Sequence, residues 1–169
     1  GVTYQVPMVT EEPSVVAAAS YASKLIKRSG GFTTTIHNRQ MIGQVALFDV
    51  PDKAAASSKI QAASQDLIEI AKEAHPSIVK RGGGPRRLWT EVKGDFLIVY
   101  LAVDTQEAMG ANMVNTMMEA LVPELENLSE GQSLMAILSN LATESLVTAT
   151  CRLNTRFLSR NKDEAHDLA

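Results

Sequence analysis

The spacing of hydrophobic residues between positions 41 and 138 changes between two periods, which predicts a domain of mixed α and β structure. Met41 to Val50 is typical of a strand. After Pro51-Asp52, apolar residues recur close to every 3.6 positions as far as Ala74, which predicts one amphipathic helix. His75-Pro76 is expected to end that helix, because proline cannot continue it.

A hairpin and a second helix follow in the pattern. Leu88 to Lys93 and the strongly apolar Phe96 to Val103 are joined by Gly94-Asp95, a compact turn signal. Apolar residues at i+4 intervals predict a helix from about Ala108 to Leu128, and Leu134 to Leu138 is a further strand candidate. The resulting order β-α-β-β-α-β predicts an α+β fold of the ferredoxin-like type, an antiparallel sheet with two helices on one face.

The segments on either side of this unit follow a different pattern. A helix is expected after Pro13, stopped by Gly30-Gly31, and Thr33 to Ile36 and Leu146 to Leu153 are rich in strand-forming residues. Both flanks lie outside the β-α-β-β-α-β unit, which therefore resembles a domain inserted into a larger one. The predicted boundaries are residues 1–37, 38–149 and 150–169.

Composition excludes several classes of protein. With 169 residues and 45% hydrophobic content, the chain can bury one substantial core. Its apolar runs fall short of the roughly 18 residues needed to cross a bilayer, and its start lacks the pattern of a secretory signal. The single cysteine, Cys151, allows no internal disulfide and no cysteine-rich metal site, and a net charge of −3 argues against a nucleic-acid binder. A cytoplasmic, metal-free protein with no nucleic-acid or membrane partner is expected.

The residues alone leave the chemistry open. Gly82-Gly83-Gly84 lies among cations and would let backbone N–H groups approach a phosphate, but it lacks the G-x-G-x-x-G spacing, and a plain connector has the same composition. Asn112, Asn115 and Glu119 form a polar stripe on the second predicted helix, typical of a solvated face or of a binding face. Glu12 precedes Pro13 at a helix start, where a carboxylate is favoured by the helix dipole with or without a catalytic role.

Three longer segments resemble motifs of one enzyme family. Val6 to Ser20 is similar to the substrate-side motif of the bacterial class (class II) of 3-hydroxy-3-methylglutaryl-CoA reductases. Glu107 to Thr116 resembles the cofactor motif D-A-M-G-A-N of that family, with Glu107 in place of the usual aspartate, and Ile137 to Ala142 resembles a third motif. The three occur in the family's order, and a weaker resemblance extends over nearly the whole chain.

The resemblance implies an oxidoreductase. The family reduces 3-hydroxy-3-methylglutaryl-CoA to mevalonate and CoA by two hydride transfers, or runs the reverse reaction. It implies NADPH as cofactor, with NADH possible, because NADH-using relatives have an acidic residue where His75 stands. By motif match, Glu12 is the expected catalytic residue and Ser14 the expected substrate-binding residue. The residues expected to bind the cofactor are His75, Met109, Gly110, Asn112 and Asn140.

The resemblance also implies what these 169 residues do not contain. The family's catalytic lysine, its aspartate partner and its flap histidine have no counterpart here, so this chain by itself is expected to be inactive. The complete protein is expected to be a homodimer whose small cofactor domain is inserted in a larger CoA-binding domain. The alternative that the residues leave open is a non-catalytic ferredoxin-like nucleotide-binding or regulatory module. The enzyme is favoured, because Val6 to Ser20 lies outside that module.

Overall fold

A four-stranded antiparallel sheet organises most of the chain in this computed structural model, which describes residues 4–9 and 12–159. Five α-helices and six strands lie in the described ranges, followed by one turn of 3-10 helix, Thr155–Phe157. The helices are α1 Pro13–Arg28, α2 Lys53–Ala62, α3 Ser64–Ala74, α4 Pro76–Lys80 and α5 Ala111–Ser129. The strands are β1 Thr33–Ile36, β2 Gln40–Phe48, β3 Gly84–Lys93, β4 Phe96–Asp104, β5 Gln132–Leu138 and β6 Val147–Thr150.

The four-stranded sheet has the strand order β3-β4-β2-β5, with every neighbouring pair antiparallel. An α+β fold with antiparallel sheets is thereby confirmed. Alternate residues of β2 and β4, including Val45 and Val99, which lie opposite each other in the register, are fully buried. They pack in one core with Met117, Met118 and other buried residues of α5. One face of the sheet is therefore covered by the helices.

The helix predicted between Pro51 and Ala74 is two helices in the structure. Asp52 caps α2 by accepting hydrogen bonds from the N–H groups of Ala54 and Ala55. The helical path is then interrupted at Ala63, and α3 begins at Ser64. Periodicity alone did not reveal this break, because no glycine or proline marks it. The short helix α4 was not predicted either, although Pro76 occupies its first turn.

The chain divides into two compact units, Gly1–Thr35 with Thr148–Ala169 and Ile36–Val147. Strands β1 and β6 pair in a separate two-stranded sheet at the two positions where the chain passes from one unit to the other. Inside the second unit, the His37 N–H donates to the Leu146 carbonyl at 3.0 Å, so its two ends lie side by side. The assignment of these units to a cofactor domain and to pieces of a larger domain remains a prediction.

Candidate functional site

Gly110 begins α5 in a conformation that requires glycine. Its φ is +84°, in the left-handed region that side chains disfavour. A Cβ atom at this position would lie 2.5 Å from Thr105 Cγ2 and 2.9 Å from Met41 Sδ. The backbone at Gly110 is therefore packed closely against the end of β4 and the start of β2, which fixes the position of the first turn of α5.

The first turn of α5 faces solvent. Met109 is 74% exposed, and its sulfur accepts a weak hydrogen bond from the Ala111 N–H at 3.4 Å. Asn112 is exposed one residue further along. The first N–H groups of any helix lack acceptors within that helix and carry the positive end of its dipole. This end of α5 therefore has the chemistry that suits an anionic group such as a pyrophosphate.

A cavity of about 370 Å³ opens beside the segment that precedes α5. Arg81, just after α4, contributes the cation of its lining, and Glu107 contributes the carboxylate. The full lining consists of Ile78, Arg81, Thr105, Gln106, Glu107 and Ala108. The cavity thus lies between Arg81, in the glycine-rich loop after α4, and the segment that resembles the cofactor motif.

The glycine-rich loop is packed against the end of β4. A Cβ atom on Gly83 would lie 2.6 Å from the Asp104 carbonyl oxygen, so no larger residue fits without movement. Arg86 donates to the Gly82 carbonyl and, at 3.3 Å, to the Asp104 carboxylate. Burial alone would raise the pKa of Asp104, but the Gln106 N–H and Arg86 outweigh it and hold this pKa below its usual value. Asp104 is therefore held in its ionised form.

Glu107 forms an ion pair with Arg39. The Arg39 Nη1 to Glu107 Oε1 distance is 2.9 Å, and Arg39 also lies 3.5 Å from the Gln106 side-chain oxygen. The side chains are 51% and 92% exposed, so solvent screens the pair. The glutamate that departs from the motif is thus directed toward the start of β2.

Asn140 lies in the segment after β5, and this segment is anchored at both ends. At its start, the Leu138 N–H donates to Asn115 Oδ1 at 2.9 Å. At its other end, the Glu144 carboxylate accepts from Asn38 at 2.8 Å and from Arg87 at 3.0 Å. The Asn140 side chain itself is exposed. The sequence pattern placed Asn115 on the polar stripe of α5 but did not indicate its partner, because the bond joins residues 23 positions apart.

His75 lies at the end of α3, half-buried. Its N–H donates to the Lys72 carbonyl, and its ring Nδ1 lies 3.2 Å from the Ser77 hydroxyl oxygen. Nearby Lys72 forms an ion pair with Glu69 at 2.8 Å, which lowers the pKa of Glu69. His75 thus begins the short stretch that leads through α4 to the cavity.

The two residues expected on the substrate side, Glu12 and Ser14, lie in the other unit. Glu12 immediately precedes α1 with an extended backbone, and its carbonyl accepts from the Val15 N–H at 3.0 Å. Both side chains are exposed. Thr10 and Glu11, which belong to the same motif, lie outside the described residues.

Comparison with known proteins identifies the family. The family model for hydroxymethylglutaryl-coenzyme A reductase matches residues 1–168. The chain belongs to the hydroxymethylglutaryl-coenzyme A reductase family. This membership does not favour the non-catalytic module, because the match covers both units rather than the four-stranded sheet and its helices alone.

Relatives of this reductase family share both sequence and structure with the chain. A 3-hydroxy-3-methylglutaryl-coenzyme A reductase from Archaeoglobus fulgidus is 42% identical over 153 residues, 88% of this chain and 35% of the relative. A probable reductase from Borreliella burgdorferi is 33% identical over 175 residues, 100% of this chain and 39% of the relative. The solved class II reductase from Streptococcus pneumoniae, bound to NADPH in open conformations, is 64% identical with a TM-score of 0.94.

The chain spans less than half of these reductases. It is covered to 99% by the Streptococcus pneumoniae structure but accounts for 46% of that chain. In the described ranges, no helix combines the length and apolar character required to cross a membrane. Nor do residues 4–9 and 12–159 bring together three side chains from His, Cys, Asp or Glu in a metal-binding arrangement.

Proposed function

We propose that the complete protein interconverts 3-hydroxy-3-methylglutaryl-CoA and mevalonate plus CoA, and that residues 36–147 bind its NADPH. Family membership supports the reaction, and the 64% identity to a reductase bound to NADPH supports the cofactor. The single observation that carries the location is the first turn of α5, which Gly110 fixes beside a cavity containing Arg81.

The cofactor supplies hydride, and this chain supplies the surface that orients it. The pyrophosphate is placed at the first turn of α5, where the helix dipole and the backbone N–H groups attract negative charge. Met109 and Asn112 contact the nucleotide from that turn. Asn140 approaches it from the segment after β5, and Arg81 adds positive charge across the cavity.

His75 selects the phosphorylated cofactor in this proposal. An acidic residue accepts hydrogen bonds from an adenosine ribose that lacks a phosphate, and it repels a 2′-phosphate. His75 carries no permanent negative charge and stands near the cations Lys80 and Arg81 in the sequence. NADPH is therefore preferred, with weaker use of NADH.

On the substrate side, Glu12 exchanges a proton with the reacting carbonyl oxygen and Ser14 donates a hydrogen bond to the substrate. A positioned acid or base of this kind contributes about 10²- to 10⁴-fold to turnover. The 169-residue chain alone is inactive in this proposal, because the lysine, aspartate and histidine that complete the family's chemistry have no counterpart in it. Loss of one group that stabilises a developing oxyanion already costs about 10²- to 10³-fold.

The remaining assignments complete the proposal. The unit Ile36–Val147 is a small domain of the ferredoxin-like type, and its strand order β3-β4-β2-β5 supports that classification. The described parts of the flanking segments belong to the larger CoA-binding domain. The complete protein is a cytoplasmic homodimer without nucleic-acid or membrane partners.

Binding of NADPH and NADH to the 169-residue chain tests the cofactor assignment, with nicotinamide fluorescence as the readout. Tighter binding of NADPH is expected, and failure of both to bind would overturn the proposal. His75→Asp should reverse the preference. Gln65→Asp is the matched control, since it adds the same charge at the exposed start of α3 and should leave the preference unchanged.

The catalytic assignment is tested in the complete protein. Glu12→Gln should lower kcat by roughly 10²-fold or more while the KM for NADPH stays the same. A variant that kept more than about a third of its turnover would show that Glu12 serves only as a charge at the start of α1.

A further inference from the structure

Two side chains of α5 bind the backbone of β5, one near each end of the strand. Glu126 Oε1 accepts from the Ser133 N–H at 2.8 Å, and Asn115 Oδ1 accepts from the Leu138 N–H at 2.9 Å. Both bonds are partly buried. Since β5 is an edge strand that pairs only with β2 in the four-stranded sheet, these bonds attach its amides to the helix.

The two hydrogen bonds are nearly the same distance apart along α5 as along β5. Asn115 and Glu126 are eleven residues apart, which is about 16 Å along a helix, and Ser133 and Leu138 are five residues apart, which is about 17 Å along a strand. A shift of β5 along α5 would therefore break both bonds together. The strand has one preferred position beneath the helix.

The bond at Asn115 lies at the end of α5 that begins with Gly110. Asn112 and Asn115 are three residues apart, so they share one face of the helix. The Leu138 N–H is thus held on the face that carries Asn112. Next in the chain, the Ser139 N–H donates to the Ile42 carbonyl at 2.8 Å, so two consecutive amides are fixed, one to α5 and one to β2. Asn140 follows immediately.

The far end of this segment is held by other elements. Glu144 is bound by Asn38 and by Arg87 of β3, and its carbonyl accepts from the Gln40 N–H at 2.8 Å. None of these partners belongs to α5. The hydrogen bond from the Leu138 N–H to Asn115 therefore holds the start of the segment that carries Asn140 close to the first turn of α5.

We propose that Asn115 is a positioning residue for the nicotinamide cofactor, holding the segment that carries Asn140 in place beside the first turn of α5. The inference rests on the proposed function, since it concerns how the NADPH surface is assembled. Asn115 does not touch the cofactor. It acts through the backbone at Leu138 and thereby sets the distance between Asn112 and Asn140.

The test compares the two bonds of β5 in the 169-residue chain, with the Kd for NADPH and the urea midpoint of unfolding measured for each variant. Asn115→Leu keeps the size of the side chain and removes the acceptor. It should raise the Kd roughly five- to tenfold, the effect of losing about one hydrogen bond. Asn115→Asp keeps an acceptor oxygen for the Leu138 N–H and should restore the urea midpoint to that of the original chain.

Glu126→Met is the matched control, because it removes the same kind of bond at the opposite end of β5. It should lower the urea midpoint about as much as Asn115→Leu and leave the Kd for NADPH unchanged. If Asn115→Leu does not fold, Asn115→Ala replaces it with the same expectations.

Two results would overturn the inference while leaving the proposed function intact. One is an unchanged Kd in Asn115→Leu, and the other is an equal loss of affinity in Glu126→Met, which would reduce the effect to general destabilisation. A parent chain that binds neither NADPH nor NADH would instead overturn the proposed function, and this inference with it.

Discussion

Arg86 Nη2 of β3 lies 3.3 Å from Asp104 Oδ2 at the end of β4, and the same carboxylate accepts two hydrogen bonds from Gln106. Arg86 also donates to the Gly82 carbonyl. One carboxylate thus connects the glycine-rich loop to the segment that leads into α5. Asp104 does not line the cavity itself, but its carboxylate holds in place the two segments on either side of it.

Asp104→Asn should destabilise the unit Ile36–Val147. The substitution removes the charge while keeping one acceptor oxygen. A loss of about 1–2 kcal/mol in the free energy of unfolding is therefore expected at pH 7. This loss is smaller than for a fully buried ion pair, because Asp104 is partly exposed. Urea denaturation measures it. Glu91→Gln is the control, since Glu91 pairs with Lys93 on the exposed face of β3 and should change stability by less than about 0.5 kcal/mol.

The contribution of Asp104 to the free energy of unfolding should decrease as the pH falls. In the folded protein, burial raises the pKa of Asp104, but the Gln106 N–H and Arg86 outweigh it and hold this pKa below its usual value. Its stabilisation is therefore present above the unfolded pKa, near 4, and is lost as the pH falls through the lower folded pKa. The difference in free energy of unfolding between the original chain and Asp104→Asn should thus narrow as the pH falls below about 5. A difference that grew toward acid would contradict the assignment.

Gly110→Ala should destabilise the chain more than Gly82→Ala. The two glycines have nearly the same φ, +84° and +87°, but only Gly110 is crowded, while a Cβ on Gly82 meets no atom within 4 Å. Gly82→Ala should cost about 1 kcal/mol of conformational strain. Gly110→Ala adds the contact with Thr105 and should cost at least about 2 kcal/mol. Equal urea midpoints for the two variants would show that Thr105 moves aside without cost.

Gly43→Ala should overpack the contact between β2 and α5. A Cβ there would lie 2.5 Å from Met118 Cγ and 2.8 Å from Val114 Cγ1. A cost of about 1–3 kcal/mol is expected. Because Met118 is the nearest obstacle, the same substitution in a Met118→Ala background should cost less, by at least about 0.5 kcal/mol. Thermal unfolding of the four variants checks this, and strict additivity would rule out the contact as the cause.

Glu107→Asp introduces the residue that is usual in the motif this segment resembles and should leave the free energy of unfolding almost unchanged. The shorter side chain loses its 2.9 Å contact with Arg39, but both partners are largely exposed. Surface pairs of this kind contribute about 0–1 kcal/mol. A change in the free energy of unfolding above about 1 kcal/mol would mean that the pair is stronger than its exposure allows.

Much of the sheet could be predicted from the sequence because its central strands are short apolar runs bounded by clear turn signals. The hairpin through Gly94 and the edge strand β5 followed from that pattern. The break at Ala63 did not, since a helix can be interrupted by packing without a local breaker. In the candidate site, Gly110 was predicted through the motif, and its part in cofactor binding stays a prediction. The bond from Leu138 to Asn115 spans 23 residues, and no local pattern indicates such a partner.

Because β1 pairs with β6, the unit Ile36–Val147 begins and ends at neighbouring positions. His37 and Leu146 are hydrogen-bonded at 3.0 Å, and paired strands run only about 5 Å apart. A turn of a few residues is enough to close that gap or to receive the unit in a surface loop of an unrelated scaffold. We therefore expect residues 36–147 to tolerate transfer as one insertion, because the chain enters and leaves this unit at neighbouring positions.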